Sequence, residues 1–78
     1  MIFLIEYDRR QGRLVSLKSF DESDRRSAEQ ARLELELRLN KLRITHEVVL
    51  LEAQSEYALR QTHRRYFETL SELSQPRS

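Results

Sequence analysis

Between Phe20 and Ile44 the chain contains no valine, isoleucine or threonine, although both flanks are rich in them. β-Branched residues favour extended backbone, whereas the Asp, Glu, Ala, Gln, Arg and Leu that fill the gap favour helix. The gap therefore divides the chain into an extended N-terminal part, a helical middle and a second extended stretch. It also resolves an ambiguity within itself. In "ARLELELRLNKL", Ala31 to Leu42, leucine recurs at every second position from Leu33 to Leu39, which is the period of a half-buried strand. The segment is far longer than an ordinary strand of roughly 5–6 residues. A helix is expected from about Ser23 to Asn40, with Asp21 or Ser23 as its cap and Asn40 as a left-handed terminator.

At about 100° per residue, Ala28, Ala31, Leu35, Leu39 and Leu42 gather on one side of this helix. Leu33 and Leu37 lie on the opposite side. One side packs on a sheet, and the other is a surface for a second helix, a partner chain or water.

Ahead of the helix, "MIFLIEYD" and "RLVSLKSF" flank "RRQG", which holds the single glycine of the chain. This predicts a hairpin in which Gly12 supplies a positive φ. After it, "ITHEVVLLEA" carries Ile44, Thr45, Val48, Val49, Leu50 and Leu51 and reads as an interior strand. Ser55 then caps a last helix, "SEYALRQTHRRYFETLSEL", with Leu59, Thr62, Tyr66, Leu70 and Leu73 as its inward stripe. The expected fold is a single α+β domain over 1–74 followed by a disordered tail over 75–78. Its order is ββαβα, with a three-stranded, mostly antiparallel sheet of order 2-1-3 and both helices packed on one face.

Such an arrangement leaves the other sheet face uncovered. If Phe3, Ile5, Tyr7, Val15, Leu17, Val49 and Leu51 meet the helices, then Ile2, Leu4, Leu14, Phe20, His46, Val48 and Leu50 point away. Both sets are apolar, and contiguous apolar patches beyond a few hundred Å² usually mark interaction sites. Ile2, Leu4, Leu14, Val48 and Leu50, together with Leu33 and Leu37, are the expected interface.

Size argues the same way. A chain of 78 residues buries only about 60% of its unfolded surface, and small folds offset this with disulfides, metals or association. Cysteine is absent, so self-association, as a homodimer, is the expected device. The 14 basic and 13 acidic residues nearly cancel, so no general attraction to polyanions or membranes follows. "MIFLI" is too short to span a membrane and lacks a basic leader; a cytoplasmic protein without a membrane segment is expected.

Two arginine groups offer candidate chemistry. Arg9, Arg10 and Arg13 surround the hairpin turn, and His63, Arg64 and Arg65 lie in "THRRYF". Together these six are the candidate phosphate contacts of a nucleic-acid-associated accessory protein. No RNA-recognition signature accompanies them, and Glu47 and Glu52 on the third strand oppose phosphate. His46 and His63 lack a paired-histidine spacing, so no metal is expected. The single glycine rules out a glycine-rich phosphate loop, and no G-x-S-x-G or H-E-x-x-H occurs. Neither catalysis nor a cofactor is expected. The favoured reading is a small protein-interaction or regulatory module, with nucleic-acid association as the alternative.

Overall fold

The computed structural model of the protein describes residues 1–68. Strands β1 (Ile2–Asp8) and β2 (Arg13–Phe20) form a hairpin, and a 3-10 turn at Glu22–Asp24 leads into helix α1 (Arg25–Lys41). Strand β3 (Glu47–Glu52) follows, then helix α2 (Glu56–Thr62) and a second 3-10 turn at Arg64–Tyr66. The α+β architecture and the ββαβα order match the sequence reading. The sheet is antiparallel throughout in the order β2-β1-β3, so β1 is central and β3 is an edge strand rather than an interior one.

The hairpin closes through one aspartate. Asp8 Oδ1 accepts from the amides of Arg10 and Gln11 at 3.0 and 3.2 Å, and Gly12 N–H donates to Asp8 O at 2.8 Å. Gly12 takes φ 64° there, a conformation a Cβ would disfavour. Just beyond, the register shifts between Glu6↔Ser16 and Tyr7↔Leu14, leaving Val15 as the extra residue of a bulge. The bulge turns Leu14 onto the face of Phe3, Ile5 and Tyr7. Strict alternation had placed it with Leu4.

Asp21 caps the first 3-10 turn by accepting from Ser23 N–H, and α1 runs one residue past Asn40. The left-handed residue is Arg43, at φ 59°. Arg43 N–H donates to Asn40 O at 3.1 Å and Ile44 N–H to Leu39 O at 2.9 Å, the two bonds of a Schellman ending. Ile44 and Thr45 lie outside β3 and are exposed.

The two helices cover opposite faces of the sheet, which corrects the one-face expectation. Phe3, Ile5 and Tyr7 of β1 cluster with Leu59 and Tyr66 from α2 and its following turn. Leu4 clusters instead with Leu35 and Leu39 of α1, joined by Val48, Leu50, Phe20 and Ala31. The physical reason lies in β1, whose alternate residues are apolar on both sides, so each face needs its own cover. Ile2, Phe3, Leu4, Ile5 and Tyr7 are consequently all buried. Burying each such side chain contributes roughly 1.5–3 kcal/mol.

Helix α2 begins as read, with Ser55 Oγ accepting from Ala58 N–H at 3.1 Å. It stops at Thr62, well short of Leu73. Thr62 is exposed rather than inward-facing, and its hydroxyl donates back to Ala58 O at 3.1 Å, a competing bond that weakens a helix end. His63, at φ −125° and ψ 52°, carries the chain out of the helix. Leu70, Leu73 and the tail over 75–78 lie outside the described residues. No described helix is long and apolar enough to cross a membrane.

Candidate interaction surfaces

Glu47, the first residue of β3, joins three elements through its polar contacts. Tyr66 donates its hydroxyl to Glu47 Oε2 at 2.5 Å, and Arg65 Nη2 donates to both carboxylate oxygens at 3.0 and 2.8 Å. Arg65 also donates to the Tyr66 oxygen at 2.9 Å, and Arg9 Nε approaches Glu47 Oε1 to 3.9 Å. Aromatic contacts support the arrangement: the Tyr7 and Tyr66 rings meet edge to face at 5.1 Å, and Arg65 lies 4.5 Å over the Tyr66 ring.

These contacts shift the titration of their members. The Tyr66 hydroxyl bond, with help from Arg65, holds the Glu47 carboxyl below its ordinary range against the opposing effect of burial. Burial pushes the Tyr66 phenol up, and its bond to Glu47 adds to the effect. The bond to Tyr66 likewise raises Arg65. Sequence reasoning placed Tyr66 correctly on the inward side but treated Glu47 only as a charge opposing phosphate. A lone acidic residue opening an apolar strand carries no signal of this role.

The candidate phosphate contacts converge only in part. Arg9 from the hairpin and Arg65 from the C-terminal turn meet, but they meet across Glu47, which offsets their charge. Arg64 pairs with Glu68 at 3.2 Å. His63 Nδ1 lies 2.9 Å from the Thr62 hydroxyl. Arg10 and Arg13 diverge. Arg10 lines an open cleft with Asp8, Arg43 and His46, while Arg13 lines a different one with Arg60, Tyr66 and Phe67.

A second polar cluster lies on the α1 face. Glu6 is a buried acid, and His46 Nδ1 lies 2.6 Å from its Oε2, in hydrogen-bond contact. Ser16 Oγ donates to Glu6 Oε1 at 3.4 Å, and His46 Nε2 lies 3.7 Å from Asp8 Oδ2. Both imidazole nitrogens thus face carboxylates. His46, just before the first residue of β3, joins that segment to the central strand.

The expected interface divides into two groups. Ile2 and Leu4 are both buried and present no surface, and Leu4 packs under α1, which occupies the face expected to be open. Leu14 packs in the α2-side core. Val48 and Leu50 are half-buried on the edge strand, packed against the α1-side core, and Leu33 and Leu37 are 48% and 58% exposed on the outer side of α1. Among the described residues the exposed apolar side chains are therefore Leu33 and Leu37 on α1, Leu42 and Ile44 just after it, and Met1, Val15 and Tyr57 elsewhere, whereas the apolar residues of β3 are half-buried. Comparison with protein-family models, with curated proteins and with solved structures gives no match to this chain.

Proposed function

We propose that the chain is a small protein-interaction module that works as a homodimer. The observation that carries this reading is the character of β3. Val48, Val49, Leu50 and Leu51 form an uninterrupted apolar run on an edge strand, each half-buried against the core on its own face of the sheet. The opposite edge, β2, has the features that keep edges from pairing: a bulge at Val15, and Arg13 and Lys18 among its side chains. The middle of β3 has none of them. A chain of this size gains stability from association, and the absence of cysteine suits the reducing cytoplasm, the compartment we assign. Sedimentation equilibrium over a wide concentration range tests the reading. A mass of twice the 9.4 kDa chain supports it, and a single monomeric mass at millimolar concentration rejects it.

A second reading, phosphate gripping by an accessory nucleic-acid-binding protein, draws support from the approach of Arg9 and Arg65 to one carboxylate and from Arg13 and Arg60 lining one open cleft. Glu47 and Glu68 within those groups weaken it. Oligonucleotide binding that falls steeply with salt and weakens on Arg13→Ala with Arg60→Ala would favour this reading over the first.

A further inference from the structure

The hydrogen-bond phase of the sheet fixes which backbone groups β3 presents outward. Ala53 N–H donates to Met1 O at 3.1 Å, and the Met1 ammonium donates to Ala53 O at 2.9 Å. Met1 and Ala53 are thus a mutually bonded pair, and antiparallel bonding alternates along the register that follows. Leu51, Val49 and Glu47 bond inward to Phe3, Ile5 and Tyr7, their partners in that register. The amides and carbonyls of Val48, Leu50 and Glu52 therefore point away from β1. Among the described residues no further strand takes them up.

Above this free edge runs one flank of α1. Arg25 pairs with Glu52 at one end, and Glu36, Leu39 and Asn40 share a cleft with Ile44, His46 and Val48 at the other. At helical spacing the flank reads Arg25, Glu29, Arg32, Glu36, an alternation of sign that is complementary to its own reverse. Antiparallel to a second copy, Arg25 meets Glu36 and Glu29 meets Arg32.

Resting on the homodimer reading, we propose that two copies pair antiparallel through β3, with Leu50 opposite Leu50 on the two-fold axis and Val48 opposite Glu52. The result is a continuous six-stranded sheet with the two α1 flanks facing each other over the junction. This register satisfies the outward groups of Val48, Leu50 and Glu52 in both copies. It places Val49 opposite Leu51 on the α2 face and sets no two acids directly opposite. The axis at Leu50 falls beneath the middle of the Arg25 to Glu36 flank, since Arg25 reaches Glu52 and Leu39 lies beside Val48. Strand and helix complementarity thus share one axis.

The test combines sedimentation equilibrium with residue-resolved amide exchange on the full chain. The proposal expects a dimer in which the amides of Val48, Leu50 and Glu52 exchange at least about tenfold more slowly as concentration rises. Glu36→Arg and Arg25→Glu, both at exposed sites, each weaken the dimer about tenfold by setting like charges together. Mixing the two variants restores association, because in the mixed dimer both 25–36 pairs are of opposite sign. A dimer whose three amides stay unprotected, or whose charge variants are not rescued by mixing, overturns this interface and leaves the homodimer reading standing. A monomer overturns both, including one whose three amides are protected by the chain's own residues 69–78.

Discussion

Tyr66 donates its hydroxyl to Glu47 Oε2 at 2.5 Å, and that bond ties the C-terminal turn to the first residue of the edge strand. It explains why the last helix ends where it does. An uninterrupted helix would keep Tyr66 on the stripe of Leu59; the break at His63 instead delivers the ring to Tyr7 and the hydroxyl to a carboxylate. Hydrogen bonds to charged groups contribute about 1.5–3 kcal/mol, enough to outweigh the loss of a helical turn in a short segment. The latch therefore stabilises the face of the sheet that α2 alone, at seven residues, covers incompletely.

Tyr66→Phe should accordingly destabilise the fold by about 1–2 kcal/mol, since the ring contacts survive and only the hydroxyl is lost. Urea unfolding of the two proteins measures the difference. An unchanged midpoint would show that the Tyr66–Glu47 bond contributes nothing in solution and that the break at His63 has another cause.

The same latch has a defined pH window. Glu47 titrates below its ordinary value of 4.5 in the fold, so its contribution is present above that value and is lost as pH falls through the folded one. Tyr66 titrates above its ordinary 10.0, so its contribution is present below that value and is lost as pH rises through the folded one, when phenolate would face carboxylate. The stability difference between the native chain and Tyr66→Phe should be greatest between these limits and should shrink at both ends. Unfolding midpoints collected from acid to alkali test this, and a difference that does not vary with pH would rule it out.

Element order, the sheet order and the positive φ of Gly12 were legible because each follows from local chemistry: residue propensity, one glycine, one capping serine. The features that were not legible depend on distant contacts. Both alternate sets of β1 side chains are apolar, so sequence could not say whether the helices share a face or take one each. The bulge at Val15 changes the parity of Leu14 with no glycine or proline to mark it. Of the expected interface residues, Leu33 and Leu37 lie on the outer side of α1 as their helical spacing implies, whereas the burial of Leu4 depends on the position of α1. The meeting of Arg9 and Arg65 at Glu47 joins three separate elements, and no local pattern encodes it.

Arg43 shows the same limit at one residue. The Schellman bonds to Asn40 and Leu39 require a left-handed residue at that position whatever its type, and a side chain there costs about 1 kcal/mol relative to glycine. Arg43→Gly should therefore stabilise the chain by a few tenths to about 1 kcal/mol, the gain being reduced by the extra freedom of glycine in the unfolded state. Thermal unfolding reads this as a raised midpoint. A lowered midpoint would mean that the Arg43 side chain makes a contribution larger than its backbone cost.

The division of the sheet between two helices makes a sharp contrast between two leucines. Leu4 is 5% exposed under α1, whereas Leu33 on the outer side of that helix is 48% exposed. Leu4→Ala removes buried methyl groups next to Leu35 and Leu39 and should cost about 2–4 kcal/mol. Leu33→Ala leaves no cavity and should fall within about 0.5 kcal/mol of the native chain. Were the sheet covered on one face only, with Leu4 on the open side, the two substitutions would have similarly small effects on folding. Denaturant unfolding of both variants therefore tests the two-faced arrangement itself. A mild effect at Leu4 would detach α1 from the Leu4 face and, with it, the helix flank from the β3 edge.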